Sequence, residues 1–505
     1  MLKILKTTLK STFIYSIGNL SSKLLGIILI PLYASKLSIS EYGMLGMLEV
    51  TAQIVTAVMG MSLYNAFLRW YWDKDFQKQQ KAMFFTILVF VTAFSLFIIA
   101  ALLPFKKQIS TLLLESGEFS FLIILVFLVS ALEALALIVS TLIRLQEKPG
   151  LFSALFVAKV LSSLSFTVYF IAFRGKKIDG IYEAQLIGLG VYYLMASGFV
   201  IRNIKLRLEI KVLREMLKFS YPLLLVGISG IILTISDRYI LRFMSDLSSV
   251  GIYSLGFKIS NTLRVFIIAS VNLALHPIIF KLMDYPDSRR IYSKIMTYYA
   301  YGLMFFALGL TLFGKEAIKF LAKANPSYWH SFEIVPLLTL AIFFSMLRDV
   351  ALTGINISKR TQLSARVIII VTALDIGLNI LMVPFLGYMG AAIATFIAQT
   401  LYFVMIYYYA QKCYPIPYEL GKVFKILLTG IAIYFISTLT ADVVLWLRLI
   451  IKSLLIISYP FLLYLFAFYE PVELQRIREF WTKWKNPIAL PGNLKDFFEK
   501  TNDEI

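Results

Sequence analysis

Apolar runs long enough to cross a bilayer recur along the whole of this chain, and no other feature restricts its fold so strongly. In hydrocarbon, every backbone N–H and C=O must find its partner inside the protein, so such runs become helices packed side by side. Fourteen spans are expected. Their cores fall at residues 12–33, 42–65, 83–104, 121–143, 151–173, 182–201, 219–241, 250–275, 291–313, 332–353, 363–385, 389–410, 423–439 and 447–468. Composition agrees: with 59% of residues hydrophobic and 15% charged, too little polar surface remains to cover a soluble core. The expected fold class is an all-α polytopic membrane protein with 14 transmembrane helices. Met1 to Lys10 is basic, but the helix after it is too long for a signal peptide and has no small-residue cleavage site.

Two hairpins in this series look alike. Leu217 to Asn261 reads LKFSYPLLLVGISGIILTISDRYILRFMSDLSSVGIYSLGFKISN, two apolar runs joined by a polar turn at Ser245 to Ser249. Leu9 to Gln53 follows the same plan. Laid on it without a gap, Leu9 falls on Leu217, Ser40 on Ser248 and Gly43 on Gly251. Few paired residues are identical, but basic residue, apolar run, serine-containing turn and glycine recur in order, as they do in transporter repeats. The copies start six helices apart, so both enter the membrane in the same direction. The expected architecture is two parallel six-helix repeats, 1–205 and 206–411, with a cleft between them. Two extra helices (412–469) and a tail (470–505) complete it. Ile477, Phe480, Trp481 and Trp484 share a helical face in that tail, beside several basic residues, and predict a helix on the membrane surface.

Charge sets the orientation. With the N-terminus in the cytoplasm, the cytoplasmic segments carry roughly three times as many Lys and Arg as the external ones, which puts both termini inside. The external Arg174-Gly175-Lys176-Lys177 is a local exception. The net charge of +20 is spread between helices and not gathered in one domain. It therefore points to anionic lipid and membrane topology, not nucleic acid.

Catalysis finds little support. There is no Gly-rich phosphate loop and no metal-spaced set of ligands: His276 and His330 are far apart, and Cys413 is alone. No catalytic residue, metal or cofactor is expected. Ionisable groups at membrane depth carry more information, because each is costly there. They are Lys23, Glu49, Glu133 and Lys159 in the first half, and Asp237, Arg238, Lys258, Arg264, Arg348, Asp349 and Asp375 in the second. Glu133, Asp349 and Asp375 fit an ion pair that locks the bundle as well as they fit a functional role. For Lys23, Lys159, Lys258 and Arg264, cations outnumber acids, and the surplus calls for a water-filled cavity or an anionic ligand. Pro31, Pro277, Pro336 and Pro384 lie in or at the ends of helices, where they kink or stop them.

From Asp375 the chain runs DIGLNILMVPFLGYMGAAIATFIAQ. Asn379, Pro384, Gly387, Gly390, Ala391-Ala392 and Ala394-Thr395 make this similar to the eleventh-to-twelfth helix segment of the polysaccharide transporter family. SISEYGMLG at Ser38 to Gly46 resembles it too, as does SDRYIL with the SSVGIYSLGFKI that follows. The glycines suit a short turn, and the small residues after it suit close helix packing. The resemblance implies a flippase of the multidrug/oligosaccharidyl-lipid/polysaccharide exporter superfamily. Such proteins move an undecaprenyl-pyrophosphate-linked oligosaccharide, for O-antigen, capsule or a similar polymer, across a bacterial inner membrane. It further implies that Lys23, Lys159, Arg238, Lys258 and Arg264 hold anionic parts of the headgroup. Glu49, Asp237 and Asp375 become candidates for coupling to H+ or Na+. Membrane lipids, a polysaccharide polymerase and other assembly proteins are the expected partners. A peptidoglycan lipid-precursor flippase is the sibling alternative. Drug and cation antiporters of the superfamily want acidic cavities, and a polymerase normally needs a large external loop that is not seen here. A non-transporting membrane scaffold would not need so many charges at depth.

Overall fold

A computed structural model describes residues 28–267, 285, 287–475 and 478, and among these every regular element is helical. The helices are α1 (Ile30–Lys36), α2 (Ile39–Gly60), α3 (Leu63–Trp70), α4 (Gln80–Leu102), α5 (Lys106–Leu114) and α6 (Ser120–Leu145). They continue as α7 (Pro149–Val168), α8 (Ile178–Asn203), α9 (Ile210–Met244), α10 (Leu247–Ser260) and α11 (Thr262–Ile267). The series ends with α12 (Ser288–Leu321), α13 (Val335–Ile357), α14 (Thr361–Cys413), α15 (Leu420–Thr438) and α16 (Leu445–Leu465). Among the described residues, eleven helical stretches are long and apolar enough to cross a membrane, and large apolar side chains such as Phe97, Leu194 and Phe385 stand exposed on them. The protein is a multi-pass membrane protein.

One of the eleven, α14, holds two of the expected spans. Gly387 breaks it, with φ 53° and ψ −135°. A residue with a Cβ is strained there, and glycine is not. Close by, a Cβ on Gly390 would lie 2.5 Å from the Met382 carbonyl oxygen, so the chain comes back against itself at contact distance. The expected spans 12–33 and 250–275 run partly outside the described residues. Lys23, His276, Pro277 and the tail face of Ile477, Phe480, Trp481 and Trp484 lie outside them altogether.

The chain divides into two compact units. The smaller comprises residues 1–10, 289–313 and 417–505, and the larger 11–288 and 314–416. In the larger unit, α2 packs on α6 and α10, α7 on α8, and α14 on both α9 and α13.

The contact of α2 with α10 is reciprocal. Ser38 caps α2, accepting from the Glu41 amide at 3.1 Å, while the Glu41 carboxylate accepts from the Ser38 amide at 2.8 Å. Asp246 caps α10, accepting from the Ser249 amide at 2.7 Å. A Cβ on Gly43 would lie 1.8 Å from the Leu247 carbonyl oxygen, and one on Gly251 would lie 2.1 Å from that of Ile39. Ser38 and Asp246, Ile39 and Leu247, and Gly43 and Gly251 are pairs in the ungapped superposition of the two hairpins. The reciprocity is what a local twofold relation between two copies produces. Only glycine lets two backbones approach this closely.

In the smaller unit, a knot of charge joins the ends of α12, α15 and α16. Lys294 pairs with Glu419 at 2.8 Å and also with Glu470, and Lys422 reaches the same two carboxylates at 3.2 and 3.0 Å. The two ammonium groups hold Glu470 down to about 2 and lower Glu419 as well. At the other end of α16, buried Lys452 donates to the Leu312 carbonyl at 2.6 Å.

Candidate functional site: two cavities on either side of one helix

A large cavity of about 760 Å³ occupies the larger unit. One face of α2 supplies Glu49, Ala52, Gln53, Thr56, Ala57 and Gly60, the i, i+3, i+4, i+7 spacing of a helix stripe. Val129, Glu133 and Leu137 come from α6, and Tyr182 and Gln185 from α8. The wall provided by α9 is apolar, with Leu224, Gly227, Ile228 and Ile231. A second, smaller cavity of about 210 Å³ lies against another face of α9, where Gly230, Leu233, Thr234 and Asp237 line it. Arg264, Ser345, Arg348 and Gln399 line its other sides.

The described cations at depth have partners, where unpaired ones were expected. Lys159 Nζ is 2.5 Å from Glu133 Oε1. Lys258 Nζ is 3.2 Å from Glu49 Oε1 and lies over the Tyr42 ring. Arg238 is buried, 3.9 Å from the carboxylate of Asp237, and donates to Ser254 and to the Thr234 carbonyl, each at 3.3 Å. Its guanidinium sits 4.5 Å from the Phe257 ring centroid. Arg264 donates to Ser345. Arg348 pairs with Asp349 at 2.6 Å, lies over Tyr402 and donates to Gln399 at 3.3 Å. A charge at depth is least costly beside its opposite, which a neighbouring helix supplies for Lys159 and Lys258 and the adjacent residue supplies for Arg238 and Arg348.

The lining of the large cavity also differs in sign from the expected cationic one. Among the described residues, its charged lining consists of Glu49 and Glu133; their lysine partners are not on the wall. Each carboxylate is held through Oε1, and no described group bonds Oε2. In the smaller cavity Arg264 and Arg348 face a wall that carries Asp237.

A polar cluster joins α9, α10 and α14 beside the smaller cavity. Tyr253 donates to Asp237 and is 3.0 Å from the Thr395 hydroxyl. Ser236 donates to Asp375 Oδ2 at 2.8 Å, and Asn379 Nδ2 donates to the Asp375 carbonyl at 2.9 Å. Asp375 Oδ1 and Asn379 Oδ1 are buried with no hydrogen-bond partner. A buried acceptor left open is costly in a packed protein, and a proton or a small cation would satisfy it.

The model of a family described as polysaccharide biosynthesis protein matches residues 8–283, more than half of the chain. The chain belongs to that family. The polysaccharide biosynthesis chain is also 22% identical over 386 residues to an uncharacterised membrane protein of Methanocaldococcus jannaschii, covering 71% of this chain and 74% of the relative. Among solved structures, it is similar to the lipid II flippase MurJ in an inward closed conformation. The TM-score is 0.74 at 16% identity, over 90% of this chain and 99% of that one. An inward-facing multidrug-resistance transporter of the MATE family, from the MOP superfamily, gives a TM-score of 0.60 at 13% identity, over 79% and 94%. A Pyrococcus furiosus MOP transporter, described as having a binding pocket of reversed polarity, gives 0.52 at 13%, over 81% and 95%. These likenesses establish the fold.

On this polysaccharide biosynthesis scaffold, the residues singled out in the sequence fall into three places. Glu49 lines the large cavity, with Lys159 and Lys258 each one contact behind its wall. Asp237 and Arg264 line the small cavity, Arg238 is packed beside Asp237, and Asp375 belongs to the polar cluster. Gly43, Gly251, Pro384, Gly387 and Gly390 shape helix contacts and the turn. Sequence reasoning passed over Gln53, Tyr182 and Gln185 on the cavity wall and Lys452 in α16. The amides and Lys452 carried a signal, being polar groups inside apolar runs. Tyr182 carried none, because tyrosine is common throughout the chain.

Proposed function

We propose that the protein is a flippase for an undecaprenyl-pyrophosphate-linked oligosaccharide repeat unit, of the kind used for O-antigen, capsule or another surface polysaccharide. The observation that carries this reading is a cavity of about 760 Å³, with a polar and an apolar wall, inside a multi-pass bundle of the polysaccharide biosynthesis family. A cavity with hydrogen-bonding groups on one wall and apolar groups on the other suits a sugar headgroup, while the lipid tail stays in hydrocarbon. Rocking of one repeat against the other supplies alternating access. With both termini in the cytoplasm, Ser38 and Asp246 lie on the external side, and the crossing at Gly43 and Gly251 closes that side. The protein works as a transporter in a bacterial inner membrane, alongside a polymerase and other assembly proteins.

In this reading, Arg238, Arg264, Lys159 and Lys258 meet the pyrophosphate by exchanging their present partners for it during the cycle, and Lys23 joins them. Asp237 and Asp375 take up H+ or Na+, using the open Asp375 Oδ1, and Glu49 is the further candidate in the large cavity. The direct test is leaflet exchange of a lipid-pyrophosphate-linked oligosaccharide in vesicles that contain the purified protein. The reading predicts exchange above protein-free vesicles and its loss in a Glu49→Gln, Arg264→Gln double variant.

A second reading, cation antiport, is favoured by one observation: the charged lining of the large cavity is Glu49 and Glu133. Uptake of a lipophilic cation dye with no exchange of the lipid-linked glycan would select it. The peptidoglycan precursor reading differs only in the sugar, and a lipid II substrate in the same vesicles separates the two.

A further inference from the structure

We propose that the large cavity takes the saccharide part of the substrate and selects units that carry a free amine. This inference rests on the flippase reading and names the class of glycan it moves.

The wall facing the cavity is built for donors. Glu49 and Glu133 present a carboxylate each, 39% and 36% exposed, and only one oxygen of each is engaged by lysine. Gln53, Tyr64, Tyr182 and Gln185 also line the space, and none makes a side-chain hydrogen bond among the described residues. Tyr182 is only 1% exposed and lines this space with no side-chain hydrogen bond to a described residue, so its hydroxyl is available to a ligand in the cavity. Carboxylates, amides and phenols together match the hydroxyls of a sugar, and the apolar α9 wall opposite suits its C–H faces.

Charge then chooses among sugars. A carboxylate accepts only, and an ammonium group offers three donors, so the two meet in a charge-assisted bond about twice as strong as a neutral one. A uronic acid brings a third carboxylate toward two others, and such like-charge placement works against a ligand. The lysines stand behind the wall carboxylates and do not line the cavity, so in this arrangement the saccharide meets Glu49 and Glu133 first.

The test is calorimetric titration of the full chain in detergent with three soluble probes. These are a glucosamine tetramer, its N-acetylated form and a galacturonic acid tetramer. The glucosamine tetramer should bind at least ~tenfold more tightly than either of the others, a difference of one decade in Kd. Exchanging the pair, Glu133→Lys with Lys159→Glu, keeps the ion pair and turns the other charge to the cavity; preference should move to the uronic tetramer. Should that variant fail to fold, Gln185→Glu removes no partner and should tighten the amine probe severalfold. Equal or tighter binding of the uronic tetramer by the wild type overturns the inference, as does an unchanged amine affinity in Gln185→Glu. Leaflet exchange is scored separately. Exchange of lipid-linked units with no amine preference in calorimetry removes the amine site and leaves the flippase. Amine binding without any exchange removes the flippase and leaves the site.

Discussion

At the scale of single residues, the molecule depends on where a carboxylate stands. Lys258 and Glu49 are 209 positions apart and Lys159 and Glu133 are 26 apart, yet each pair closes at bonding distance. Removing one member strands the other at depth, whereas removing both does not. Lys159→Met alone should therefore destabilise the protein more than Lys159→Met with Glu133→Gln. The coupling should be on the order of 1 kcal/mol, since both groups remain partly exposed; a double-mutant cycle on thermal unfolding in detergent checks it. Asp375 sits differently, with one oxygen bonded and the other open in a buried cluster. Asp375→Asn should leave substrate binding intact and abolish the response of transport to an H+ or Na+ gradient. A response unchanged in that variant would exclude Asp375 as the coupling group.

At the scale of helices, two close approaches and one knot of charge make separate demands. A methyl group on Gly43 or Gly251 would enter the space of a carbonyl on the facing helix, and backbone cannot yield as a side chain can. Gly43→Ala should cost about 1–3 kcal/mol, visible as a lower Tm. The double alanine variant should lose less than the sum, because the first substitution already separates α2 from α10. In the smaller unit, Glu470 is held at about 2 against its usual 4.5 by Lys294 and Lys422. A lowered carboxylate contributes stability that is complete above its unfolded value and is lost as pH falls through its folded value. Wild type should therefore lose Tm between about pH 4.5 and 2, and Glu470→Gln should lose less across the same window. Glu419 contributes in the same direction.

At the scale of the whole molecule, much of the fold could be read from sequence. Long apolar runs located the helices, since nothing but a helix satisfies the backbone in hydrocarbon. The hairpin superposition put Gly43 on Gly251, and those two glycines meet across the contact of α2 and α10. Gly387 marked a turn, and its backbone adopts a conformation that favours glycine. The site was legible only in its parts list. Counting Lys23, Lys159, Lys258 and Arg264 against the acids gave a surplus, but pairing depends on how each helix is rotated about its axis. A sequence shows no rotation when a helix is apolar all round. For that reason the expected cationic wall is, among the described residues, a wall of Glu49 and Glu133 with cations behind it.

The central claim is that this chain carries a lipid-linked saccharide across the bilayer. The most direct measurement uses vesicles holding the purified protein and a fluorescent tetrasaccharide on a long-chain lipid pyrophosphate. A reductant that cannot cross the membrane is added outside. The account predicts that label from the inner leaflet becomes accessible far faster than in protein-free vesicles, and that Glu49→Gln with Arg264→Gln returns the rate to background. Label that stays protected with the wild-type protein, while a lipophilic cation dye is transported, would contradict it.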